Sequence, residues 1–77
     1  MNELSTISKV SKLYGVSTRT LRYYEQIGLL VSQRVEGYSY RVYDEENCIK
    51  LREIIVLRKL RIPLKQIELL LRNPNIV

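Results

Sequence analysis

A mainly α domain of about four helices with one small β-hairpin is the fold class this sequence predicts. Three observations carry that expectation. Apolar residues recur at three- and four-residue spacing through most of the chain, Gly15, Gly28 and Pro63 punctuate those runs, and one stretch of period two, residues 33–43, lies between them. The 77 residues are 45% hydrophobic and 27% charged, enough for one modest core over residues 1–77 and no second one, which excludes a multidomain enzyme.

In chain order, Ile7, Val10 and Leu13 with Tyr14 predict a short helix with Ser8 as its N-cap. Gly15 ends it, because glycine takes the left-handed backbone without a Cβ penalty, and Ser17 caps a second helix two residues later. That helix is expected from Thr18 to Ile27, burying Leu21 and Tyr24 and stopping at Gly28. The pair, residues 8–27, has the proportions of a helix-turn-helix, although a short helix pair around a glycine is also compatible with a purely structural role.

Gln33-Arg34-Val35 and Tyr38 through Tyr43 read as the two arms of a hairpin turning at Glu36-Gly37, a wing over residues 33–43. Asp44-Glu45-Glu46 supplies an N-cap and acids that complement the dipole of a third helix, residues 44–61, which Arg58, Lys59 and Arg61 close with cations. Cys48, Leu51, Ile54, Ile55, Leu57 and Leu60 cover more than one of its faces, as expected of a central helix packed from several sides. Pro63 breaks the chain and opens a last helix, residues 63–72, with Leu64, Ile67, Leu70 and Leu71 expected inside and Pro74 beyond its end.

A net charge of +5 with no histidine points to a polyanionic partner, and the basic residues are spread through both halves of the chain. The outward face of the second helix gathers Thr18, Arg19, Arg22, Tyr23 and Gln26. These are the guanidinium, hydroxyl and amide groups that read base edges and hold phosphates. Thr18 and Arg19 stand nearest the helix start, where a recognition helix first approaches the bases. Arg34, Tyr38, Tyr40 and Arg41 give the hairpin a basic and aromatic flank, and Lys65 adds a cation near the start of the last helix. The plainer reading of each is a solvated surface side chain.

Together, Gly15-Val16-Ser17, Thr20-Leu21-Arg22-Tyr23-Tyr24-Glu25, Gly28-Leu29-Leu30, Arg41-Val42-Tyr43 and Ile62-Pro63-Leu64-Lys65-Gln66-Ile67 resemble the DNA-binding domain of the MerR family of bacterial regulators. The resemblance runs from about Thr6 to Leu71. It implies a winged helix-turn-helix whose second helix enters the major groove of double-stranded DNA while the wing reaches the flanking backbone. It also implies a homodimer that sits on a promoter inverted repeat and distorts the spacer for RNA polymerase, a readout through deformation energy. This chain carries Ser32 where the family usually has proline after Gly-Leu-Leu, Ser39 near the usual wing glycine, and Arg61 where many members have glycine. The long dimerisation helix and effector-binding region of full-length members are expected to be missing after Val77.

Other functional classes find little support. Cys48 brings to mind the ligand-sensing thiols of some relatives, but with no histidine and no second cysteine it reads as a small buried hydrophobe and no metal site is expected. No cofactor motif, nucleophile with a base, membrane span or targeting segment is present, so a DNA-binding, non-enzymatic protein of the reducing cytoplasm is expected. The competing functional class is an excisionase-like architectural factor that bends DNA and senses nothing. A helix-turn-helix that recruits a protein partner comes third.

Overall fold

The computed structural model describes residues 4–72. In chain order it places β1 (Ser5–Thr6), α1 (Ile7–Tyr14), α2 (Thr18–Gln26), β2 (Gln33–Arg34), β3 (Arg41–Tyr43), α3 (Glu45–Lys59) and α4 (Leu64–Arg72). The architecture is mainly helical with a small antiparallel sheet, a winged helix-turn-helix. The expected stop at Pro74 lies outside the described residues.

Two local expectations need correction. The first helix is capped by Thr6 and not by Ser8: the Thr6 hydroxyl accepts the Lys9 N–H at 3.1 Å, with Thr6 in extended backbone. Both residues can cap, and Thr6 wins because it also ends β1, whose extended geometry a cap requires. The wing, likewise, is not a two-stranded hairpin. Its sheet has three strands in the order β1-β3-β2, with Ser5 opposite Tyr43, Thr6 opposite Val42, Gln33 opposite Val42 and Arg34 opposite Arg41. An isolated two-stranded ribbon is marginal in water, and β1 supplies the third strand that the pair lacks.

Helices α1, α2 and α3 end in the same hydrogen-bonded motif. Val16 N–H donates to Ser11 O, Leu29 N–H to Tyr24 O and Ile62 N–H to Leu57 O, each closing the loop around a residue at positive φ. For α1 and α2 that residue is glycine, Gly15 at φ 66° and Gly28 at φ 86°; for α3 it is Arg61 at φ 62°. Ser17 caps α2 by accepting the Thr20 N–H at 3.1 Å, and Asp44 caps α3 by accepting the Asn47 N–H at 2.9 Å. The Asn47 backbone and side-chain amides both donate to Asp44, and those bonds hold its carboxyl below the ordinary aspartate value. Pro63 opens α4, its carbonyl accepting from Gln66 and Ile67.

The core joins the four helices and β3. Val10 of α1, Leu21 and Tyr24 of α2, Leu29, Leu30 and Tyr43 around the wing, Leu51 and Ile54 of α3 and Ile67 of α4 form one buried cluster, with Cys48, Ile55, Leu57, Leu64 and Leu71 packed at its edge. Two polar ties close the assembly. Buried Asn47 accepts the Val31 N–H at 2.9 Å, joining α3 to the segment after α2, and Arg72 Nη2 reaches Ile27 O at 3.4 Å, joining the end of α4 to the end of α2. Leu13, Leu60 and Leu70, expected to be inward, are instead exposed, as are Ile49, Val56 and Leu69. The apolar residues of α3 wrap around its whole circumference, and a domain this small has neighbours for only part of it.

Arg61→Gly tests the one helix end that carries a non-glycine residue at positive φ among the described residues. A left-handed L-residue costs about 1–2 kcal/mol, and glycine returns roughly half of that gain through its freer unfolded chain. The expected net gain is about 0.5–1 kcal/mol, a rise in melting temperature of about 2–8 °C for a domain of this size, read by thermal denaturation.

Candidate nucleic-acid interface

Helix α2 separates its residues cleanly. Leu21 and Tyr24 point into the core, and Thr18, Arg19, Arg22, Tyr23 and Gln26 are all exposed. The separation follows from the helical repeat, which puts residues three and four apart on one face. The short turn after Gly15 packs α1 against α2, so the outward face of α2 is fixed by Leu21, buried in the core that the two helices share.

The wing stands beside that face. Tyr38 N–H donates to Val35 O at 3.0 Å across a turn with Gly37 at φ 83°, and the rings of Tyr38 and Tyr40 lie 5.1 Å apart at 42°. Both rings are exposed, as are Arg34 and Arg41. The register puts those two arginines directly opposite one another on β2 and β3, a like-charge pair that concentrates positive charge on the ribbon.

An open cleft of about 530 Å³ runs between the start of α1, the outward face of α2 and the wing. Of the residues expected from sequence, it brings together Thr18 and Arg22 from α2 with Tyr40 and Arg41 from the wing. Arg19, Tyr23, Gln26, Arg34 and Tyr38 are exposed but do not line it, and neither does Lys65 in the first turn of α4. The cleft also includes Thr6, Ser8, Glu25 and Ser39, none of which the sequence marked as a contact. For Glu25 a signal was present: it is the one acid on a helix otherwise carrying only arginines as charged residues.

Glu25 is the polar junction of the site. One carboxylate oxygen accepts from the Tyr43 hydroxyl at 2.6 Å and the other from the Ser32 hydroxyl at 2.6 Å, while Ser32 Oγ accepts from Arg41 Nε at 3.1 Å. Hydrogen bonds to an ionised acceptor are short and strong. Burial holds the Tyr43 hydroxyl well above the ordinary tyrosine value, and the hydrogen bond and negative charge of Glu25 push it further the same way.

The profile of the MerR HTH family of regulatory proteins matches residues 5–74. The chain belongs to the MerR family. It is 39% identical over 70 residues to the HTH-type transcriptional regulator SkgA of Caulobacter vibrioides, covering 91% of this chain and 28% of that protein. It is also 39% identical over 69 residues to the transcriptional regulator BrlR of Pseudomonas aeruginosa, covering 88% of this chain and 26% of that one. The crystal structure of SkgA from Caulobacter crescentus superposes with a TM-score of 0.82 at 36% identity, covering 97% of this chain and 54% of that chain. The chain therefore spans just over a quarter of the length of these regulators. Among the described residues no helix is long and apolar enough to cross a membrane, and no cluster of three or more metal-ligating side chains occurs. Cys48 is partly buried at the edge of the core, consistent with packing.

The buried phenol sets a pH dependence. Unfolded tyrosine ionises near pH 10, whereas folded Tyr43 holds its proton far above that, so the stability it confers is complete below about pH 10 and is lost as the pH rises further. Tyr43→Phe is expected to cost about 1–3 kcal/mol at neutral pH, because a carboxylate oxygen loses its donor. The same variant is expected to show a shallower alkaline decline, read by urea denaturation between neutral pH and pH 11.

Proposed function

We propose that this chain is the sequence-specific DNA-binding domain of a MerR-type transcriptional regulator, with α2 in the major groove and the wing on the flanking backbone. The observation that carries the proposal is the cleft in which Thr18 and Arg22 of the helix face Tyr40 and Arg41 of the wing. Exposed arginine forks, hydroxyls and aromatic edges on two sides of one concave surface suit a ridge of phosphates and the adjoining base edges. The Arg34–Arg41 pair adds to this: like charges placed opposite each other destabilise a ribbon, and an anion lying across both relieves that repulsion.

In this reading Thr18 and Arg19 discriminate bases from the start of α2. Arg22, Tyr23 and Gln26 contact phosphate or base edges farther along the helix. Arg34, Tyr38, Tyr40 and Arg41 hold the backbone from the wing, and Lys65 adds a phosphate contact from α4. The whole protein acts as a homodimer on a promoter inverted repeat, distorting the duplex so that RNA polymerase engages it, with part of the specificity residing in the cost of deformation. The bacterial relatives, named as transcriptional regulators, support the regulator part of this reading.

Selection of bound duplexes from a randomised pool at moderate salt tests the reading. Enrichment of a half-site or inverted repeat is expected; retention without enrichment would instead favour the architectural, excisionase-like role, and failure to retain any duplex at low salt would sink both. Arg22→Ala is expected to weaken binding to every sequence and to reduce the slope of log affinity against log salt by about 1. Arg19→Ala is expected to relax preference at one position by about 1–3 kcal/mol, measured on single-base variants of the enriched site.

A further inference from the structure

We infer that Ser32 is the residue that positions the wing arginine, Arg41, for the DNA backbone, by relaying the carboxylate of Glu25 on α2 to the guanidinium on β3. The inference rests on the DNA-binding reading above and adds to it a residue outside the exposed face.

A serine hydroxyl has one proton to give and lone pairs to receive. Ser32 uses both: its proton goes to Glu25 at 2.6 Å and its oxygen accepts Arg41 Nε–H at 3.1 Å. The residue is only 9% exposed, so water competes poorly for either bond. Upstream, the carboxylate cannot swing, because its other oxygen accepts from the hydroxyl of Tyr43, which is anchored in the core. The result is a continuous chain from the core through the recognition helix to the wing.

What the relay leaves open matters as much as what it holds. Among the described residues Arg41 makes no ion pair, and its one side-chain hydrogen bond is through Nε. The two terminal nitrogens, the fork that grips a phosphate, remain available in the cleft. A direct ion pair with Glu25 would occupy that fork and cancel its charge. A neutral hydroxyl interposed between carboxylate and guanidinium fixes the arginine without neutralising it. Proline at position 32 has no side-chain donor and cannot form the relay.

The test combines one readout without DNA and one with it, on the 77-residue chain. In the free chain, the Arg41 Nε–H resonance is expected to be protected from solvent exchange, to lose that protection in Ser32→Ala and to keep it in Ser32→Thr. With the enriched duplex, Ser32→Ala is expected to weaken binding about three- to tenfold, the range for one lost hydrogen bond, and to reduce the salt slope by about 1, as Arg41→Ala does. The Ser32→Ala/Arg41→Ala double variant is expected to bind no more weakly than Arg41→Ala alone, and Ser32→Thr to bind like the unaltered chain. Additive losses in the double variant, or an unchanged Arg41 resonance in Ser32→Ala, would overturn the proposal. A serine that acted only on stability would lower the melting temperature while leaving the salt slope intact, which also overturns it. If the unaltered chain bound no duplex, the DNA reading and the positioning role would fall together, and the resonance would still report separately whether the hydroxyl holds the arginine.

Discussion

The shared core and the β1–β3 pairing hold the helix-turn-helix and the wing together, and the hydrogen bonds to Glu25 fix how the two are oriented. Without them α2 and β3 would touch mainly through apolar side chains, which set distance but tolerate rotation. A carboxylate that receives a separate hydroxyl on each oxygen fixes direction as well. The two sides of the cleft, from Thr18 at the start of α2 to Arg41 on the wing, are referred to that junction. An acid in the middle of a basic surface is therefore no contradiction: its charge is compensated locally by donors, and its geometry sets where the cations stand.

A second level of closure comes from the far end of the chain. Asn47 holds the segment after α2 to the start of α3, and Arg72 binds the last carbonyl region of α2 while pairing with Glu68 at 3.1 Å. Both ties act on the stretch between Ile27 and Val31, the passage from α2 to the wing. Small domains have little apolar area with which to restrain such a passage, and directed polar contacts substitute for it.

Much of this was legible in the sequence because it is local. Gly15 and Gly28 announce helix ends, Ser17 and Asp44 announce helix starts, and the face of α2 follows from counting. The readings that failed depend on distant partners. Ser5–Thr6 has no periodicity of its own and becomes a strand only because β3 lies alongside, and that same pairing moved the cap from Ser8 to Thr6. Leu13, Leu60 and Leu70 fit a helical pattern, but pattern reports which residues are apolar and not whether a neighbour exists to cover them. The pairing of Glu25 with Ser32 was not legible for the same reason: their partners are set by how a helix, a connecting segment and a strand converge. Among the residues chosen as candidate contacts, the four in the cleft come from two elements that sequence order alone does not place side by side.

The pairing of β1 with β3 has a consequence for how the molecule assembles. Thr6 meets Val42, so the strand contact encloses α1, α2 and β2 within one closed loop. Closing a loop of that length carries an entropic cost that local helical turns do not. Thr6, at once the end of that strand and the cap of α1, therefore fastens the start of the helix pair to a wing residue some 36 positions away along the chain, through one ladder of backbone hydrogen bonds.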